Sequence, residues 1–161
     1  MSTDTAQEGL VSIMKAYDIG TEDVERKIMD NINSLGNNFA ESNEDIIEGM
    51  ERAGATLSSV GTSVESSFAL FTGAQEIMQN AETVGTALKT LSLRIRGYDE
   101  DTEEYSTEVA DATGTVASLT RTASNPNGVS LFTDASQTEY KDLVDYLGEI
   151  ADIWDEISAK S

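Results

Sequence analysis

Residues 81–101 read AETVGTALKTLSLRIRGYDED, and this stretch carries a helix pattern that ends at a stop signal. Its large apolar side chains recur at spacings of three and four, which is the period of an amphipathic helix. Gly97 follows the last of them, and glycine is typical of the position just after a helix. The stretch therefore predicts a helix over residues 81–96, and its apolar stripe consists of Val84, Leu88, Leu91 and Ile95.

The positive charge of this helix is unusual, because the 161-residue chain has 30 acidic and only 10 basic residues, for a net charge of -20. Lys89, Arg94 and Arg96 nevertheless lie close together here, and acids follow at 99–101. Arginines in the last turn complement the negative end of the helix dipole and can pair with those acids. The other interpretation is a docking contact with an acidic neighbour.

The same period recurs upstream and predicts four more helices, with breaks at Gly20, Gly36 and Gly61. Since short connections turn neighbouring helices antiparallel, residues 4–97 are expected to form a compact bundle of five short antiparallel helices. Their apolar stripes begin with Leu10, Val24, Ile46 and Val64. The stripe of Phe68, Phe71 and Met78 is expected in the core, and the alternative is an exposed groove for a partner helix.

The pattern changes after Gly97. Residues 98–108, YDEDTEEYSTE, are dense in acids and predict a solvated connector or a frayed helix start. The segments TVASLTRT (115–122) and VSLF (129–132) are interpreted as short strands on either side of an NPNG turn at 125–128.

A last apolar stripe predicts a long C-terminal helix over residues 136–159, with Trp154 as a buried core or interface anchor. The predicted fold is thus mainly all-α. We expect a helical bundle at 1–97, a connector with a short β-hairpin-like part at 98–135, and a C-terminal helix that packs on the bundle.

Composition excludes several kinds of chemistry. The chain has no Cys and no His, so thiolate or imidazole catalysis and metal binding through these groups are impossible. No Gly-Lys-Ser/Thr phosphate loop occurs. A calcium loop that began at Asp99 would place Glu104 at its glycine position and Ala110 at its final glutamate position. We therefore expect no enzyme, no metal, no cofactor and no small-molecule substrate.

Charge and hydropathy also limit the partners. A net charge of -20 argues against binding to nucleic acid or to an anionic membrane, because both attract basic surfaces. No apolar run approaches the ~20 residues that a membrane-spanning helix needs.

Three parts of the chain resemble the tail tape measure proteins of phages, in the same order. The first is DIIEGMERAGATLSSVGTSVESSFALFTGAQEIMQ (45–79), with its helices of small residues. The second is NAETVGTALKTLSLRIRG (80–97), and the third is GVSLFTD followed by YKDLVDYLGEIADIWDEIS (128–134 and 140–158). The resemblance covers about residues 40–159.

The resemblance implies a structural and assembly role in the tail of a long-tailed phage or prophage. Proteins of that family are much longer than this chain, so the resemblance also implies a fragment. They lie inside the tail tube, after assembly in the host cytoplasm, and determine tail length. The implied partners are tail tube and tail assembly proteins and other copies of the chain.

The residues qualify this expectation. One continuous helix of 161 residues would be about 240 Å long, but glycines interrupt this chain, so it is expected to be a folded docking region rather than the measuring rod. The alternative is an acidic helical interaction module, an effector or adaptor unrelated to phage tails. The candidate packing and interaction residues are Gly85, Leu88, Lys89, Arg94, Arg96 and Trp154.

Overall fold

The computed structural model divides the chain into two units, Met1–Leu91 and Ser92–Ser161. It describes residues 3–39, 42–99, 101–105, 114 and 116–159. The three-part division at residues 97 and 135 stays a prediction, and each unit is described by itself below.

The first unit is helical, as the apolar period predicts. Serine side chains cap the N-termini of two of its helices. Ser42 accepts a hydrogen bond from the backbone N–H of Asp45 at 3.0 Å, and Ser63 accepts one from the backbone N–H of Ser66 at 3.1 Å. The helices are α1 (Thr3–Ala16), α2 (Asp30–Phe39), α3 (Asn43–Ser59), α4 (Val64–Met78) and α5 (Ala81–Ile95), whose last turn belongs to the second unit.

The second helix differs from its prediction at both ends. A π-helical turn, Glu25–Met29, leads directly into α2. The predicted break at Gly36 is wrong, since α2 continues to Phe39. The amide of Asn38 donates to the backbone carbonyl of Ser34 at 2.8 Å and supports this last turn.

The order of packing also differs from a simple up-and-down bundle. The most extensive helix contact joins α1 to α3, and α3 packs next against α4. The prediction that the stripe of Phe68, Phe71 and Met78 lies in the core is confirmed for the two phenylalanines, which are buried. Met78 is 44% exposed. The remaining large core side chains of this unit include Ile13, Ile28, Ile32, Ile46, Met50, Leu57 and Val84.

The second unit contains short elements. Strands β1 (Tyr98–Asp99) and β2 (Glu104–Tyr105) form an antiparallel hairpin. The final helices of its described part are α6 (Leu143–Asp152) and α7 (Trp154–Ser158). The unit's own core consists of Val129, Leu131, Phe132, Leu143 and Tyr146.

The two strands predicted at 115–122 and 129–132 are wrong. Residues 116–119 are helical, and in the second segment only Phe132 forms an isolated bridge, with Tyr140. Thr120 explains the difference: its hydroxyl donates to the carbonyl of Val116 at 2.8 Å and accepts from the N–H of Val129 at 2.8 Å. A side chain thus satisfies backbone groups that a strand partner would otherwise satisfy.

The long C-terminal helix predicted over 136–159 is also wrong. A turn at residues 134–139 occupies the start of the predicted helix. Asp134 stabilises this turn by accepting hydrogen bonds from the N–H groups of Thr138 and Glu139 at 2.9 and 3.1 Å. Asp142 then caps α6 by accepting from Val144 at 3.0 Å. Ile153, with φ -109°, separates α6 from α7.

Across the described ranges, no helix combines the length and the apolarity that crossing a bilayer requires.

Candidate packing and interaction site

Gly85 lies where α5 approaches α3 within the first unit. A Cβ atom at this position would come 2.9 Å from the carbonyl oxygen of Gly49 and 3.1 Å from Cβ of Arg52. Contacts this short require the backbone to move, so glycine allows the two helices to come this close. The structure therefore places the first predicted site residue at a helix-to-helix contact.

Gly49 is equally confined, because a Cβ atom there would overlap the ring of Phe71 in α4. Helices α3, α4 and α5 thus converge at Gly49, and both glycines are buried. Gly49 was not among the residues predicted from the sequence. Its only signal was membership of a helix rich in small residues.

The neighbouring predicted residues divide between core and surface. Leu88 is 7% exposed and packs with the stripe that also contains Val84, whereas Lys89 is exposed. An ion pair lies beside the Gly49–Gly85 contact, where Arg52 reaches Glu82 at 3.3 Å. Because this pair is solvated, it contributes little to stability.

Arg94 lies in the last turn of α5, where a cation complements the helix dipole. Together with Asp99 and Asp101 it lines a shallow depression of about 420 Å³ in the second unit. The predicted pairing with these acids stays a prediction, and Glu100 lies outside the described residues.

Arg96 follows the end of α5, and its N–H donates to the carbonyl of Leu93 at 3.1 Å. Its guanidinium carbon lies 5.1 Å from the ring centroid of Tyr140. Tyr140 in turn stacks on Phe132, with centroids 4.8 Å apart and ring planes 32° apart. Arg96 thus contacts an aromatic pair, which the sequence reasoning did not identify.

The prediction that Trp154 is a core residue is wrong, because 59% of its surface is exposed, and its predicted role as an interface anchor stays a prediction. It begins α7, after the break at Ile153, so it does not continue the buried stripe of α6. Glu156 of the same short helix binds a loop: it accepts from the hydroxyl of Ser124 at 2.7 Å and from its N–H at 3.3 Å.

Three titratable groups of the described residues have shifted pKa values, each with a local cause. Burial, together with the charge of Glu149, raises the pKa of Tyr146 to about 12. A hydrogen bond from Arg26 lowers the pKa of Asp23, and one from Thr138 lowers the pKa of Asp134. Among the described residues, no three acids come together as metal ligands would.

These contacts position the helices within each unit. The sequence profile of a family described as phage-related minor tail protein matches residues 1–160. No curated protein sequence and no solved structure matches the chain. Because the family profile matches almost the whole length, this chain belongs to the phage-related minor tail protein family.

Proposed function

We propose that the chain is a helical region of a tail tape measure protein, which helps to template tail tube assembly and tail length. The observation that carries this proposal is the family match over residues 1–160. The resemblance of residues 40–159 to tape measure proteins supports a tape measure protein over other minor tail proteins. The same match argues against an effector or adaptor unrelated to phage tails.

The helical architecture supports a docking role rather than a measuring role. No helix in the described part of the first unit is longer than the 17 residues of α3, which corresponds to about 25 Å. A ruler needs an uninterrupted rod, and these helices instead fold onto one another. Tail tube and assembly proteins, and other copies of the chain, are the partners that fit this role.

An in-frame deletion of residues 40–97 in the phage tests the assembly role. We expect missing or aberrant tails in electron micrographs, with loss of infectivity, while immunoblotting shows that the shortened protein is still made. A matched control carries Gly73→Ala, since the space at this exposed glycine is open. Tails of normal length and infectivity from the deletion phage would refute the assembly role.

A separate experiment tests the location inside the tube. The chain has no cysteine, so Thr86→Cys introduces one exposed thiol on α5. A maleimide reagent too bulky for the tube should leave this thiol unlabelled in intact particles and label it after the tails are disrupted with denaturant. Labelling of Cys-bearing peptides in intact particles would place the chain on the outside and would contradict the tape measure proposal.

A further inference from the structure

The outward face of α6 carries a groove of about 560 Å³. Leu143 and Tyr146 are the buried residues of this helix, and the groove residues lie on the other side. At every fourth position this face presents Val144, Gly148 and Asp152. We call this the α6 groove; its lining also includes Lys141, Asp145 and Glu149.

The floor of the α6 groove is apolar and open. Val144 is 37% exposed, and a Cβ atom at Gly148 would have no other atom within 4 Å. An incoming side chain can therefore contact both the valine and the helix backbone. A wider side chain at Gly148 would fill this space.

The charges around the floor are unequal. Lys141 donates to both carboxylate oxygens of Glu149, at 2.6 and 2.7 Å, and so neutralises that acid. Asp145 and Asp152 are exposed, and no Lys or Arg of the described residues pairs with either. The groove thus presents two carboxylates next to an apolar floor.

Trp154 lies two residues after Asp152 in the chain and is 59% exposed. Its Cα is therefore within about 7 Å of the Cα of Asp152. An exposed tryptophan near exposed carboxylates in the chain suits a guanidinium group, which can stack on an aromatic ring and pair with acids.

We propose that the α6 groove and Trp154 form a docking surface for an amphipathic helix of another protein that carries arginine next to apolar residues. Charge selects this occupant. A second copy of the chain also carries a net charge of -20, and nucleic acids and anionic membranes are polyanions, so charge disfavours all three at this surface. This surface is inferred from the second unit alone and does not depend on the tape measure proposal.

The sole tryptophan of the chain makes the proposal directly testable. The probe is a synthetic helical peptide with leucine on one side and arginine beside it, and the matched probe has glutamate at each arginine position. With the full chain at physiological salt, the arginine peptide should shift Trp154 emission in a saturable way. The glutamate peptide should leave the emission unchanged.

Paired variants separate the groove from the general acidity of the protein. Asp145→Asn with Asp152→Asn should weaken binding by about 10-fold, as expected for loss of two complementary charges. Glu65→Gln with Glu76→Gln removes the same charge from exposed positions of α4 and should change affinity by less than about 2-fold. Gly148→Leu, which fills the floor, should weaken binding without altering the circular dichroism spectrum.

Three results would overturn the proposal. Equal weakening by both double variants would show that only net charge attracts the peptide. A Trp154 emission that never responds to saturating arginine peptide would exclude this surface. A concentration-dependent dimer that covers Trp154 in sedimentation and emission measurements would assign the surface to a second copy of the chain.

Discussion

The guanidinium carbon of Arg96 lies 5.1 Å from the centroid of the Tyr140 ring, and the same ring stacks on Phe132. This relationship joins the residue that follows α5 to the segment that precedes α6 within the second unit. Phe132 and Tyr140 are also bridged through their backbones. The side-chain and backbone contacts therefore reinforce each other.

Removal of the Arg96 side chain should lower the stability of the second unit. We expect Arg96→Ala to lower the free energy of unfolding by about 0.5–1 kcal/mol, the usual contribution of a partly exposed cation–π pair. Urea unfolding followed by circular dichroism measures the loss. Lys89→Ala removes the same charge from an exposed position of α5 and serves as the control. Equal losses in the two variants would show that the aromatic contact is not the cause.

The close approach of α5 to α3 predicts opposite effects at two glycines. Gly85→Ala forces a Cβ atom to within 2.9 Å of the Gly49 carbonyl oxygen, and we expect a net destabilisation of about 1–3 kcal/mol. Gly73→Ala meets no atom within 4 Å and should stabilise α4 by up to about 1 kcal/mol, because alanine favours helix. Thermal melts of the two variants should shift in opposite directions, and a stabilising Gly85→Ala would contradict the packing described here.

Replacement of the buried Gln75 side chain by an apolar one should stabilise the first unit. Gln75 is 4% exposed, and its Oε1 has no hydrogen-bond partner among the described residues. An unsatisfied buried acceptor costs about 1–3 kcal/mol. We therefore expect Gln75→Met, which conserves the side chain's length, to raise the free energy of unfolding by about 1 kcal/mol.

The control for this substitution is Gln79→Met, at an exposed position after the same helix. It should leave stability nearly unchanged. If Gln75→Met lowers the melting temperature, the amide makes a favourable interaction that outweighs its unsatisfied oxygen.

Alkaline unfolding should depend on Tyr146. Its pKa is raised to about 12 by burial, with a further contribution from Glu149. The folded state therefore favours the protonated phenol, so its contribution is complete below pH ~10 and is lost as the pH rises from about 10 to 12. A two-unit rise corresponds to at most about 2.7 kcal/mol.

Urea unfolding at pH 8, 10, 11 and 12 checks this expectation. Tyr146→Phe should start from a similar stability at pH 8 and lose less of it at high pH than the unmodified chain. Parallel losses in the two proteins would show that lysine and arginine deprotonation, rather than Tyr146, controls alkaline unfolding.

The sequence predicted the helices of the first unit well because each has a repeated apolar period and a clear boundary signal. Helix α5 was predicted to within one residue. The break at Gly36 failed because a glycine inside a helix costs only about 1 kcal/mol. Local hydrogen bonds from Asn38 favour continuation.

The second unit was harder to predict because side chains determine its backbone. Thr120, Asp134 and Asp142 each accept hydrogen bonds from backbone groups of nearby residues and so fix turns that no apolar period reveals. The helix break at Ile153 also means that the apolar residues after it do not continue the buried face of α6. For this reason the exposure of Trp154 could not be read from its spacing.

The candidate site was predicted in part for the same reason. A period identifies which face of a helix is buried but not which element covers that face. Gly85 was therefore predicted as a packing residue, whereas Gly49, which it contacts, was not. Arg96 was likewise predicted as an interaction residue, whereas its partner Tyr140 was not. In each pair the missing partner lies far along the chain, where local pattern gives no information.

Because the first unit consists of short helices packed on one another, its chain would be much longer in an extended form. Drawn out as one helix, its 91 residues would reach about 137 Å, and as an extended strand about 300 Å. Its longest described helix is only 17 residues. Any lengthening of this unit under tension would therefore require its packed helices to separate first.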